Sequence, residues 1–165
     1  MTKLVDKITA ALEEGDDRYL QQDISDLPRA MARLYVISRS GEQKISDLEG
    51  SNFPYFDELR DQIMSDEEAT RLKSALMVYA EKNNGDYVPT ALWTLGYFFD
   101  QELIGFLQEQ LRVHLELGQP SVESLGQCII ALSTIGEAIL LDGSFAAHEH
   151  SRNIEMARAY LDSKT

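Results

Sequence analysis

An all-α fold is predicted by three observations. Apolar residues recur at steps of three and four along most of the chain, and no stretch alternates with period two. A six-residue pattern also returns, Ala91-Leu92-Trp93-Thr94-Leu95-Gly96 as Ala131-Leu132-Ser133-Thr134-Ile135-Gly136, at an offset of 40 residues. A repeat of that period marks stacked helical pairs, so antiparallel helical hairpins are expected, stacked as a short solenoid or gathered into a compact bundle. A chain of 165 residues can bury roughly 70% of its extended surface as one domain. The expected organisation is a single all-helical domain over 1–165, with acidic helices in 1–64 and repeated helical pairs in 65–165.

The elements follow in order. Leu4, Val5, Ile8, Ala11 and Leu12 define an amphipathic helix closed by Gly15. Asp16-Asp17 opens a short polar helix through Tyr19, Leu20 and Ile24. Ser25-Asp26 then starts a helix with Pro28 confined to its first turn, where the missing N–H costs nothing, and Ser40-Gly41 stops it. Residues 41–52 read as the longest connection, with one turn around Ile45 and Leu48. Phe53-Pro54 predicts a helix with Phe56, Leu59 and Ile63 on its buried face, Phe53 being half of a hydrophobic staple. Ser65-Asp66-Glu67-Glu68 has the capping-box pattern ahead of a long helix through Leu72, Ala75, Leu76 and Tyr79, which Asn83-Asn84-Gly85 ends.

Pro89 starts the first helix of the repeat, apolar all round through Val88, Leu92, Trp93, Leu95, Tyr97, Phe98 and Phe99, and therefore buried on more than one side. Asp100 caps its partner, with Ile104, Leu107, Leu111 and Leu115 inward and Gly118 at its end. Pro120-Ser121 opens the second copy, Leu125 through Leu141. After a turn at Asp142-Gly143-Ser144, a last helix carries Ile154, Ala157, Tyr160 and Leu161. Gly96 and Gly136 each cost roughly 1 kcal/mol inside a helix relative to Ala, so close approach of neighbouring helices is expected at both.

Charge narrows the function classes. With 15 Lys and Arg against 28 Asp and Glu, the chain carries a net charge of −13. Such a surface repels nucleic acid and anionic membranes and speeds encounter with a basic partner. Residues 1–68 hold 16 acids and 8 bases, a net of −8, against −2 in 69–118 and −3 in 119–165. Neither a secretory signal nor an apolar run of membrane-spanning length is visible. Cys128 is the single cysteine, which precludes an internal disulfide or a thiolate zinc site and points to a reducing cytoplasm.

At Ala91–Ile104 and Ala131–Gly136 the sequence resembles HEAT-type repeats, in which a helix ending in Ala-Leu-x-x-Leu-Gly is followed by Asp-x-x-Leu-Ile. Asp100-Gln101-Glu102-Leu103-Ile104 fits the second part; Leu141-Asp142-Gly143-Ser144 departs from it in the second copy. That resemblance implies a protein that binds other proteins and performs no catalysis. The small, acidic, all-helical, cysteine-poor character also resembles the immunity proteins of bacterial toxin systems, including contact-dependent growth inhibition. This likeness implies a cognate basic toxin, a nuclease by preference, as partner, and neither nucleic acid nor membrane. A helical adaptor or scaffold in a housekeeping complex is the alternative.

No nucleophile, base and acid fall into a catalytic spacing, and no cofactor is implied. His148-Glu149-His150 lacks the four-residue spacing of zinc-binding His pairs on a helix, so a surface or capping role is expected. His114 is expected as a hydrogen-bonded core or boundary residue, Cys128 as a small buried hydrophobe, and Trp93, Tyr97, Phe98 and Phe99 as core. Candidate partner-binding residues are therefore acids: Glu13, Glu14, Asp16 and Asp17 around a helix break; Asp57, Glu58 and Asp61, with 57 and 61 stacked on one helix; and Glu102, Glu109 and Glu116, a seven-residue stripe opposite Leu107 and Leu111 with Arg112 among them. Asp66, Glu67 and Glu68 are explained by the helix dipole alone.

Overall fold

A computed structural model of the chain describes residues 2–21, 24–41, 44–82, 86–118, 121–140, 145 and 148–165. Among these residues the fold is all-helical, without strands: α1 (Leu4–Glu13), α2 (Asp26–Ser40), α3 (Phe56–Leu59), α4 (Asp66–Lys82), α5 (Val88–Gly96), α6 (Ile104–Leu117), α7 (Val122–Ile135) and α8 (His150–Ser163). Short 3-10 turns stand at Arg18–Leu20, Ile45–Leu48 and Gln101–Leu103. No helix among the described residues is long and apolar enough to cross a membrane. Contacts gather into two compact units, Met1–Asn83 and Asn84–Thr165. The signals read at Asn83-Asn84-Gly85, Pro120 and Leu141-Asp142-Gly143-Ser144 lie outside the described residues.

In the first unit α1 packs on α4. Val5, Ile8 and Leu12 are buried on one helix, and Leu72, Leu76 and Tyr79 on the other. Cross-links rise together along both: Lys3 Nζ lies 2.9 Å from Glu68 Oε1, Arg71 Nη1 lies 3.4 Å from Asp6 Oδ1, and Tyr79 Oη donates to Asp17 Oδ2 at 3.5 Å. The two helices therefore run side by side in the same direction. The capping box forms as its sequence predicts: Ser65 N donates to Glu68 Oε2 at 2.8 Å, and Glu68 N to Ser65 Oγ at 3.2 Å. Gly41 caps α2 at φ 70°, a left-handed conformation open to Gly without a Cβ penalty. One expectation fails. The helix read from Phe53-Pro54 through Ile63 shrinks to the four residues of α3, entered through Tyr55 at φ 57°. Asp61 therefore lies beyond it and does not stack on Asp57.

In the second unit α7 is central, packing against α5, α6 and α8. Leu125, Cys128, Ile129 and Leu132 are almost wholly buried, and each such aliphatic side chain contributes roughly 1.5–3 kcal/mol relative to exposure. The two repeated hexads touch. A Cβ on Gly96 would stand 2.9 Å from Ala131 Cα and 3.2 Å from Ala131 Cβ, so α5 approaches α7 at a point only Gly permits. Gly136 has a different reason. It follows the last residue of α7 at φ 115°, and among the described residues nothing lies within 4 Å of an added Cβ, so it is a left-handed helix cap and not a site of close approach. That cap also ends α7 at Ile135, short of the expected Leu141.

Candidate functional site

The candidate acids fall into surfaces of different character. Glu13 and Glu14 are exposed at the end of α1. Asp16 is taken up locally: its Oδ2 lies 2.5 Å from Arg18 Nη2, and this bonding to Arg18 holds its carboxyl below the usual range. Asp17 accepts from Tyr79. Asp57 and Glu58 are exposed on α3; Asp61, exposed beyond it, has Arg60 Nε at 3.9 Å. Asp66 accepts from Tyr35 Oη at 2.9 Å and Arg39 Nε at 2.7 Å, so its carboxyl is lowered by Arg39 first and Tyr35 second. At Glu68 burial pushes the carboxyl up, but the Ser65 amide and Lys3 more than reverse it. Asp26 pairs with the mostly buried Arg29.

These pairs change the charge argument. Divided at the boundary between the two units, residues 1–83 hold 17 acids and 11 bases, a net of −6, whereas residues 84–165 hold 11 acids and 4 bases, a net of −7. The N-terminal acids have cations at hand; the C-terminal ones have few.

On α6 the stripe of Glu102, Glu109 and Glu116 is only partly a helical stripe. Glu102 lies in the 3-10 turn, where its amide donates to the Asp100 carboxylate at 3.0 Å, the cap expected of Asp100. Glu109 and Glu116 are exposed on α6 itself, and Arg112 Nη1 lies 3.2 Å from Glu109 Oε2. Beside them stand two residues that the sequence analysis left out, Val113 and Leu117, 37% and 54% exposed. Helical phase contained the signal: at about 100° per residue, 113 and 117 point roughly 120° away from the buried 107 and 111.

Phe99 is a further correction. Expected in the core with Phe98, it is 50% exposed at φ 50°, a left-handed conformation that costs a non-Gly residue roughly 1–2 kcal/mol. Phe98 is buried, and Trp93 and Tyr97 are partly so.

Inside the second unit a polar network joins α6 to α8. Gln108 Nε2 donates to Tyr160 Oη at 2.8 Å, Tyr160 Oη donates to Glu137 Oε2 at 2.5 Å, and Lys164 Nζ lies 3.1 Å from the same oxygen. Burial, aided by the Glu137 carboxylate, pushes the Tyr160 phenol up to about 12; the Tyr160 hydroxyl and then Lys164 hold Glu137 below the usual carboxylate range. His114 is not hydrogen-bonded as expected. It is 8% exposed with both ring nitrogens buried and without a hydrogen-bond partner among the described residues, and burial lowers its pKa. Cys128 is fully buried, which pushes its thiol up and keeps it protonated. His148 is exposed and Glu149 precedes α8 as its cap residue. Among the described residues no group of three or more His, Cys, Asp and Glu is placed to hold a metal ion.

Compared with known protein families, with curated proteins and with solved structures, the chain matches none.

Proposed function

We propose that this chain is a non-enzymatic protein-binding protein of the immunity type, which neutralises a basic toxin domain, a nuclease by preference, by covering its active site or substrate groove. The observation that carries the reading is the charge: 28 acids against 15 bases, with Glu13, Glu14, Asp57, Glu58, Glu109 and Glu116 exposed. Carboxylates of this kind occupy the positions that nucleic-acid phosphates otherwise take on a basic nuclease. They also steer association, which requires no chemistry from the inhibitor. In this reading the helical pairs are HEAT-like, which the meeting of Gly96 with Ala131 across the two sequence copies supports.

The test is protection. Cells expressing a basic toxin domain encoded beside this gene should survive when the chain is co-expressed, and the two proteins should co-purify in a salt-sensitive complex. Death of the co-expressing cells together with absence of a complex refutes the reading. The same Gly96–Ala131 stacking favours a second reading, a helical-repeat adaptor in a housekeeping complex. Co-purification with an assembly other than a toxin, without protection, would select it.

A further inference from the structure

Four large apolar residues are exposed among the described residues: Val78, Phe99, Val113 and Leu117. Two of them share one helix one turn apart, and that helix also carries candidate acids. With Val113 as reference and about 100° per residue, Leu117 lies roughly 40° to one side, Glu109 and Glu116 roughly 40–60° to the other, and Phe106 within about 20°. Phe106, half-buried, thus extends an apolar strip toward the start of α6, and Glu109 and Glu116 form a parallel acidic strip. The buried residues Leu107, Gln110, Leu111 and His114 occupy the arc from roughly 60° to 160°, beyond Leu117 and on the side away from the acids. This outer face is therefore amphipathic in its own right, a ridge of apolar side chains edged on one side by carboxylates.

Two considerations identify what covers it. Residues 84–165 carry a net of −7 from 11 acids and 4 bases, so a second copy of this unit brings like charge against the ridge. Arg112 lies roughly 100° round from Val113, just beyond the acidic strip, with its Nη1 3.2 Å from Glu109 Oε2, and Glu116 is exposed. We infer that the outer face of α6 docks a basic amphipathic helix, one that presents apolar side chains one turn apart to Val113 and Leu117 and sets Lys or Arg against Glu109 and Glu116. Ridge packing of two helices supplies the apolar contact, and the carboxylates fix which edge of the incoming helix faces which side. The inference rests on the basic-partner reading and assigns that partner's contact to α6 in place of the N-terminal acids.

The test uses the full chain and three synthetic peptides of about 18 residues: an amphipathic Leu/Lys helix, a scrambled peptide of the same composition, and the amphipathic helix with Glu in place of Lys. The amphipathic Lys peptide should bind at least about tenfold tighter than either control. Its binding should shift the backbone amide resonances of residues 106–117 in the wild-type protein, a readout that needs no variant. Val113→Gln with Leu117→Gln, both at exposed positions, should abolish the preference for the amphipathic peptide. Glu109→Gln with Glu116→Gln should weaken binding and flatten its salt dependence. Equal binding of the scrambled peptide, or shifts that fall outside α6, would overturn the docking inference while leaving the basic-partner reading standing. So would failure of every peptide to bind, or a concentration-dependent dimer lost in the Val113/Leu117 variant. Conversely, α6 binding that persists while toxin protection fails removes the proposed function alone.

Discussion

Replacing Gly96 by Ala tests how the two repeated hexads meet. The new Cβ would stand 2.9 Å from Ala131 Cα, where ordinary contact begins at 3.4 Å, so α5 and α7 must separate by about 0.5 Å at this point. The atom struck is backbone, so no rotamer change relieves it. Overpacking of this kind costs about 1–3 kcal/mol, and a gap of that size forfeits roughly a quarter of the dispersion energy of each loosened contact. Against this stands the better helix propensity of Ala, up to about 1 kcal/mol. The expected net loss is about 1–2 kcal/mol, or roughly 2–8 °C in Tm for a chain of this size. Trp93, the single tryptophan, lies on α5 itself, so its fluorescence during urea unfolding reads the affected region directly. Gly105→Ala is the control. Among the described residues nothing lies within 4 Å of a Cβ added there on α6, so propensity acts alone and stability should rise by up to about 1 kcal/mol. Gly96→Ala with Ala131→Gly should recover only part of the loss, since the contact to Ala131 Cα remains. A Gly96→Ala protein that unfolds at higher urea, alongside Gly105→Ala, refutes the close-approach argument.

Other perturbations have equally definite signs. Burial depresses the His114 pKa, so its contribution is complete above the unfolded value near 6.5 and is lost as pH falls through the folded value; His114→Met should flatten the fall in Tm between neutral and mildly acidic pH. Tyr160→Phe leaves Glu137 and Gln108 short of a partner and should cost about 1–3 kcal/mol by urea titration. Because the Glu137 carboxyl is lowered, its contribution is present above the unfolded value and lost as pH falls through the folded one, and Tyr160→Phe should weaken that acid dependence. The Tyr160 phenol itself, raised to about 12, contributes stability that is complete below about 10 and declines as pH rises through about 12. Ser65→Ala removes the acceptor for the Glu68 amide and should cost about 1 kcal/mol, measured by thermal melting.

Several helix ends were legible in the sequence from local signals, although Phe53-Pro54 promised a longer helix than the four residues of α3. Gly15 and Gly41 take the positive φ that a helix exit requires, and Ser65 and Glu68 exchange bonds within four residues. Gly136 misled because the sequence shows a Gly at the same place in two copies but not its backbone angle: one fits under a neighbouring helix, the other turns the chain. Phe99 misled for a related reason. Its exposure follows from a left-handed backbone conformation that its residue type disfavours. Two acids of the expected stripe, Glu109 and Glu116, lie on α6 while Glu102 precedes it, and the apolar ridge beside them was missed because attention to the inward positions leaves the outward phase unread. The early concentration of charge depends on where the chain is divided: a count that stops at residue 68 leaves out Arg71, Lys73 and Lys82, which belong to the first unit.

The lone thiol is placed to act as a clock. Cys128 sits on α7 with no exposed surface, and residues 1–83 contain no cysteine, so a thiol-specific reagent reports only on opening of the second unit. When reclosing is faster than modification, the labelling rate is the intrinsic rate scaled by the open fraction. Each 1.4 kcal/mol of opening free energy then slows the reaction about tenfold. A loosened α5–α7 contact, as in Gly96→Ala, should accelerate labelling by roughly 5–30-fold, whereas Ser65→Ala, on the other unit, leaves a direct comparison of whether the two units open together or apart.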